Sequence, residues 1–309
     1  MSHSQPDVQS LGAGTGKLVL ASEGCPTLGD LEPRDTVALL AEAGFVVLRG
    51  FRPSVEDFSL FVKAHSDRVT LDPARTFHGG AVAQKVDAGT DEVGLHLENG
   101  NSPFGPDLTW FFCETAASSG SQTTVCDGYR VWDATPAADQ AAFAQDISYA
   151  RRVEEAKWKQ FVLHQSGGDK KVEDITFDDF LALVQDREGT TLVLQEDGSA
   201  HYTYRTPAAR TTLFGDRPSW ANSIFGPSYN YEKPVIGYAD GTAFPDGLIS
   251  RMKTLTDELT EDIHWQDGDI ALIDNTRVMH GRRAILDTRR TIYNALSYIR
   301  RDLLEGVTA

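Results

Sequence analysis

Hydrophobic positions fall into two kinds of pattern along the chain, helical stripes and strand-like runs. Residues 35–44 (DTVALLAEAG) set a capping aspartate before a run of helix formers and close on a glycine. They lead directly into Phe45-Val-Val-Leu-Arg-Gly, a β-rich run, so the pattern predicts a helix and then a strand. Ser54 with Asp57 has the spacing of a capping box, and Phe58, Phe61 and Val62 then share one helical face. The same signal recurs at Thr176 and Asp179, ahead of Phe180, Leu181 and Val184. Leu248, Met252, Leu255 and Leu259 recur at i, i+4, i+7 and i+11, the spacing of a buried stripe. All of these stripes are read as core.

Strand signals fill the intervals. TTLVLQ at 190–195, an Asp197-Gly198 turn and Ala200-His-Tyr-Thr-Tyr-Arg together read as a hairpin. Asp267-Gly268 turns into DIALID at 269–274, and residues 291–299 alternate as a second C-terminal strand. No repeat, low-complexity segment or Pro/Ser-rich linker divides the chain. One mostly β domain over residues 16–309 with flanking helices is expected, with residues 1–15 as a polar, frayed tail. A jelly-roll double sheet suits this order better than an alternating βαβ pattern. The pairs Gly79-Gly80 and Gly167-Gly168 do not open a helix in the manner of a phosphate-cradling loop, which leaves a nucleotide fold without support.

Composition narrows the function classes. Hydrophobic residues make up 40% and charged residues 24% of the 309, as in ordinary globular proteins. No run approaches the roughly 18 apolar residues that span a bilayer. The opening MSHSQPDVQS lacks the charged and apolar regions of a secretory signal, so a cytoplasmic protein is expected. With 29 basic against 45 acidic residues the formal charge is −16, which disfavours nucleic acid and anionic lipid as partners. Cys25, Cys113 and Cys126 have no C-x-x-C spacing and are read as buried, inert thiols.

Candidate chemistry begins at Gly94-Leu95-His96-Leu97-Glu98. Residues two apart on a strand project to the same face, so His96 and Glu98 could share one metal ion, although such a triplet also arises by chance. A third ligand is offered by His280 in Asp274-Asn275-Thr276-Arg277-Val278-Met279-His280-Gly281-Arg282. Two imidazoles and one carboxylate form the facial triad of non-haem iron(II) oxygenases, with positions left open for 2-oxoglutarate and O₂. Zinc uses the same ligand types. Ten residues beyond His280 lies Arg290, whose planar guanidinium can hold a carboxylate through two charge-assisted hydrogen bonds. Strand alternation would send its neighbour Arg289 to the opposite, solvated face.

In these motifs the chain resembles the taurine dioxygenase (TauD/TfdA) family of iron(II)/2-oxoglutarate-dependent oxygenases. The resemblance runs in order through Phe45-Val-Val-Leu-Arg-Gly-Phe, His96-x-Glu98, Ser119-Gly-Ser-Gln-Thr-Thr-Val-Cys-Asp, Trp220-Ala-Asn-Ser-Ile and Asp274-Asn…His280-Gly-Arg…Arg289-Arg290. It implies a double-stranded β-helix (jelly-roll), His96, Glu98 and His280 as catalytic iron(II) ligands, and Arg290 with Thr123 as the holders of 2-oxoglutarate. Thr123 lies 27 residues after His96. Glutamate at Glu98 departs from the family's usual His-x-Asp and is similar to the clavaminate synthase group. Its carboxylate argues against halogenation, because halogenating relatives carry a small residue there. Asn294 falls near the family's sulfonate-binding position, which argues against taurine.

The reaction implied is O₂-dependent oxidation of a C–H bond, hydroxylation foremost, in a small amino-acid-like or natural-product substrate, free or carrier-tethered. Desaturation and cyclisation share the same first step. Asn99, Asn101, Asn294, Trp110 and Phe112 are candidate substrate-pocket residues, and a lid or insert is expected within residues 150–240. Two competing readings stay open. One is a non-catalytic jelly-roll binding protein. The other is a zinc hydrolase using His78 or Tyr202 as its acid/base residue.

Overall fold

The β-branched and aromatic runs pair into a major and a minor sheet that share a core, beside an outer four-stranded sheet and a two-stranded one. In the computed structural model the structure describes residues 6–70, 77–78, 82–86, 89–166, 170–226 and 232–307. The major sheet has nine strands among the described residues. Their order is Asp7–Leu11, Gly16–Leu20, Phe45–Arg49, Ile270–Asp274, Leu108–Thr115, Thr291–Ile299, Ala83–Lys85 and Phe77–His78. Ser66–Thr70 also pairs with Thr291–Ile299. Only Gly16–Leu20 and Phe45–Arg49 run parallel, joined across helix Pro33–Ala43. The minor sheet is antiparallel, in the order Glu261–Ile263, Thr123–Asp127, Val278–Arg282, Val93–His96.

Period-two alternation decides which side chains lie between the sheets. Phe45, Val47, Phe111, Cys113, Ala271, Ile273 and Ile292 of the major sheet meet Val125, Ile263 and Val278 of the minor sheet. The intervening Val46, Leu48, Trp110, Phe112, Ile270 and Leu272 pack on the far side against helices Pro33–Ala43 and Val55–Ala64. The far side of the minor sheet, through Leu95, Cys126 and Met279, packs on helices Gly128–Ala134 and Leu248–Leu259. The same cluster takes in an outer sheet ordered Thr190–Leu194, Ala200–Thr206, Ile147–Val153, Val235–Tyr238.

Several sequence expectations are met in detail. Helix Pro33–Ala43 ends at Gly44, whose φ of 82° is the left-handed C-cap, and it starts early because Pro33 has a ready-made helical φ. Both capping boxes form, at Ser54/Asp57 and Thr176/Asp179. The hairpin over 190–206 forms around Asp197-Gly198, with Gly198 at φ 81°. All three cysteines are buried and free, and burial pushes the thiols of Cys113 and Cys126 up to about 12, so neither is a nucleophile. Among the described residues no helix is long and apolar enough to cross a membrane.

Two expectations are corrected. Residues 7–11 are not frayed tail but a strand paired with Gly16–Leu20. The Glu261 carboxylate accepts hydrogen bonds from the Ala13 N–H at 2.9 Å and the Thr15 hydroxyl at 2.6 Å, fixing the turn between them. The strand is solvated on both faces, so it carries no hydrophobic alternation to read. Trp110 and Phe112 are not pocket residues: both lie on the helix-covered face of the major sheet, where the Trp110 indole donates to Ser297 Oγ at 3.0 Å. Gly79-Gly80 and Gly167-Gly168 lie outside the described residues.

Candidate metal centre

Strand Val93–His96 stops at His96, which lies opposite His280 in the ladder. Glu98 falls in the turn that follows, so its nearness to His96 comes from that turn and not from strand alternation. One ligand atom from each of His96, Glu98 and His280 lies within 4.8 Å of the other two. Nε2 of His280 is 3.3 Å from a Glu98 carboxylate oxygen, and the two imidazole centroids are 4.5 Å apart. The Nδ1–H of His96 donates to the Gly94 carbonyl at 2.8 Å, which leaves the Nε2 lone pair available as a ligand. His280 is only 3% exposed, and its Nδ1 has no hydrogen-bond partner among the described residues. Phe111 meets the His280 ring edge-on at 5.3 Å. Two convergent imidazoles and a carboxylate in a site this buried fit a divalent first-row metal with open coordination positions.

Gly281 is required by the strand packing around this centre. A Cβ there would stand 2.5 Å from the Val93 carbonyl oxygen and 2.7 Å from Thr124 Oγ1. Only glycine lets Val278–Arg282 lie between both neighbours and carry His280 inward.

The turn bearing Glu98 is held by two side chains. Ser223 Oγ accepts from the Leu97 N–H at 3.2 Å and donates to the Leu97 carbonyl at 2.9 Å. The Asn275 carboxamide accepts from the Glu98 N–H at 2.8 Å and donates to the Glu98 carbonyl at 3.1 Å.

A cationic end adjoins the metal ligands. Arg282 lies two residues past His280 on the same face, and its ladder partner is Thr123. Thr123 Oγ1 accepts from the Trp265 indole at 3.2 Å. Arg290 immediately precedes strand Thr291–Ile299, and its Nη2 donates to the Val86 carbonyl at 3.2 Å. Burial, and secondly the Arg282 guanidinium, push the Arg290 pKa down to about 10, so it remains a cation at neutral pH. Arg282 donates to the carbonyls of Gly89 at 3.1 Å and Asp91 at 2.7 Å. Arg289 points outward, 84% exposed, and pairs with Asp287 at 3.0 Å.

The remaining candidates divide. Asn294 is buried and shares the inward parity of Ile292, between Gln84 and Phe111 in the ladders. Asn99 is exposed at φ 54°, and its carboxamide donates to the Phe104 carbonyl at 3.4 Å, which shapes the turn after Glu98. Asn101 is half-buried and presents its carbonyl to the Tyr202 hydroxyl at 3.4 Å. Burial raises the Tyr202 phenol well above its usual range, and no described contact joins it to the metal ligands. The His78 side chain lies outside the described residues. Sequence reading gave no role to Phe111, Ser223, Trp265, Asn275 or Arg282. The available signals were the parity of Phe111 and Arg282 relative to the motif residues, and the presence of Ser223 and Asn275 inside motifs already singled out.

Comparison with known proteins places the chain in a family. Over 283 residues the chain is 26% identical to a clavaminate synthase-like protein of Arabidopsis thaliana, covering 82% of each. The crystal structure of PvcB from Pseudomonas aeruginosa has a similar fold, with a TM-score of 0.62 at 12% identity, over 98% of this chain and 94% of that one. A taurine dioxygenase from Burkholderia xenovorans also matches at a TM-score of 0.62, with 15% identity over 96% and 90% of the two chains. Residues 23–296 match the family described as taurine catabolism dioxygenase TauD, TfdA family, and the chain belongs to that family of dioxygenases.

Proposed function

We propose that the protein is an iron(II)- and 2-oxoglutarate-dependent oxygenase that oxidises, foremost hydroxylates, a C–H bond of a small amino-acid-like or natural-product substrate. The observation that carries this reading is the single inner face of the minor sheet on which His280, Arg282 and Thr123 follow one another, with His96 and Glu98 at one end. A similar structure of PvcB is described as an Fe, alpha-ketoglutarate dependent oxygenase from an isonitrile synthetic pathway, which supports the cofactor and a natural-product setting. The facing major and minor sheets support a double-stranded β-helix within one domain, with the outer sheet and its helices as the specificity-setting lid.

In this reading His96, Glu98 and His280 hold the iron, and Arg290 with Thr123 holds the distal carboxylate of 2-oxoglutarate. When bound, iron and 2-oxoglutarate supply the O₂-dependent oxidation, with 2-oxoglutarate leaving as succinate and CO₂. The protein's residues do the positioning. The Gly94 carbonyl fixes the tautomer of His96, and Trp265 orients the Thr123 hydroxyl. Phe111 and the cores on either side of the ligands exclude bulk water, which strengthens the arginine–carboxylate attraction. A desolvated two-pronged contact of this kind is worth roughly 1.5–3 kcal/mol.

The test is a screen of amino acids and their derivatives for substrate-stimulated succinate formation with iron(II), 2-oxoglutarate and O₂, with product masses recorded. A gain of one oxygen atom in a consumed substrate is expected. Succinate formation that persists unchanged in His280→Ala would sink the assignment.

A further inference from the structure

We propose that Asn275 and Ser223 are positioning residues that substitute for a missing strand neighbour and thereby aim the Glu98 carboxylate. The inference rests on the metal reading of His96, Glu98 and His280. The ladder between Val93–His96 and Val278–Arg282 ends at the His96/His280 pair, so Leu97 and Glu98 have left the sheet. Buried peptide groups outside a ladder still require partners. Here two side chains supply them: the Ser223 hydroxyl spans the N–H and C=O of Leu97, and the Asn275 carboxamide spans those of Glu98.

Asparagine suits this task because its carboxamide offers an acceptor and a donor side by side, in the manner of a backbone peptide. Its second amide hydrogen goes to the Pro106 carbonyl at 2.9 Å, which fixes the plane of the group. The Asn275 N–H donates to the Asp107 carbonyl at 2.9 Å, and the Ser223 N–H donates to the Tyr149 hydroxyl at 3.1 Å. Both clamps are themselves buried, at 2% and 5% exposure. Held on both sides, the Glu98 backbone sets the direction in which the side chain leaves it, and the carboxylate comes to stand 3.3 Å from His280 Nε2. The side-chain bonds of Asn275 and Ser223 run to backbone groups and not to a ligand atom, so their effect is on geometry alone. Loss of a partner that orients a metal ligand typically weakens metal affinity by roughly 10–100-fold.

The test is titration with cobalt(II), whose visible bands report coordination, of the full chain and of Asn275→Ala, Ser223→Ala, Asn275→Asp and His280→Ala. Circular dichroism and metal-free melting are recorded for each. Asn275→Ala is expected to retain the folded spectrum, to raise the cobalt Kd about 10–100-fold and to alter the bands at saturation. Ser223→Ala should act in the same direction and less, because it releases only the Leu97 peptide. A folded Asn275→Ala protein with the parent's Kd and bands overturns the proposal, since a merely structural role would lower the melting temperature and leave both unchanged. If Asn275→Ala does not fold, Asn275→Asp carries the same test: it keeps an acceptor for the Glu98 N–H and lacks the donor for the Glu98 carbonyl, so parental binding there is equally fatal. A parent protein that binds no cobalt, or binding that survives His280→Ala, overturns the metal reading and the clamp with it. Parental binding that depends on His280 but not on Asn275 overturns the clamp alone.

Discussion

Arg282 stands directly across the ladder from Thr123 and one pleat beyond His280 on the same face. The minor sheet thus presents a candidate metal ligand and a cationic group at the spacing of alternate strand residues. Arg290 approaches from the major sheet close enough for the Arg282 charge to depress its pKa. Two guanidinium groups held near each other in a half-dry space favour an anion between them. In the proposed function that anion would be the distal carboxylate of 2-oxoglutarate.

The first prediction separates Arg290 from its neighbour. Arg290→Ala should raise the apparent KM for 2-oxoglutarate about ten- to a hundredfold, equivalent to roughly 1.5–3 kcal/mol. Arg289→Ala should have little effect, because Arg289 is solvated and already paired with Asp287. Arg290→Lys keeps the charge and loses the planar fork, so it should fall between them. Steady-state 2-oxoglutarate dependence in the three variants checks this. Damage confined to Arg289→Ala would refute the assigned register.

Much of this architecture could be read from local patterns, because capping boxes, a hairpin turn and hydrophobic stripes are decided by neighbours in sequence. The metal triad was also legible as residue types, although not for the geometric reason first supposed: Glu98 reaches the site through a turn. What the sequence concealed depends on which face of a buried strand a side chain takes. Leu108–Thr115 begins with six buried residues in a row, so no polar alternation distinguishes Phe111 from Trp110 and Phe112. The clamps at Ser223 and Asn275 were equally hidden, since they act across 126 and 177 residues of chain.

That strand provides a second prediction. Phe111 borders His280, whereas Trp110 bonds Ser297 on the opposite face. Phe111→Leu should perturb the cobalt bands and affinity, while Trp110→Phe should cost about 1–3 kcal/mol of stability through the lost buried bond and leave cobalt binding unchanged. Urea unfolding paired with cobalt titration separates the two effects. A Trp110→Phe variant with altered cobalt bands would count against the described faces.

A third prediction concerns the outcome at the metal. With Glu98 holding the iron as proposed, its carboxylate would occupy the coordination position that a halide needs, so turnover in chloride-rich buffer should give no chlorinated product. Mass spectrometry of the product mixture reads this directly, and a chlorinated species from the unmodified protein would show that Glu98 does not stay bound.

The last prediction is a pH dependence of stability set by Asp274, which is fully buried at the end of strand Ile270–Asp274. One of its carboxylate oxygens accepts from the N–H and the hydroxyl of Thr276, at 2.8 and 2.6 Å, while the other has no partner among the described residues. Burial pushes its pKa up to about 6, with Asp107 adding to the rise and Thr276 and Arg277 opposing it. Because the folded value lies above the unfolded one, the contribution of this group to stability is fully present below about pH 4 and is lost as pH rises through about 6. Asp274→Asn keeps an oxygen for Thr276 and removes the charge. The unfolding free energy of the variant relative to the parent should therefore rise between about pH 4 and 7, by roughly 1–3 kcal/mol, since each pKa unit corresponds to about 1.4 kcal/mol. Urea unfolding of both proteins across that range tests this, because other titrating groups largely cancel in the difference. Parallel curves would mean that Asp274 is not an ionised, buried carboxylate at neutral pH.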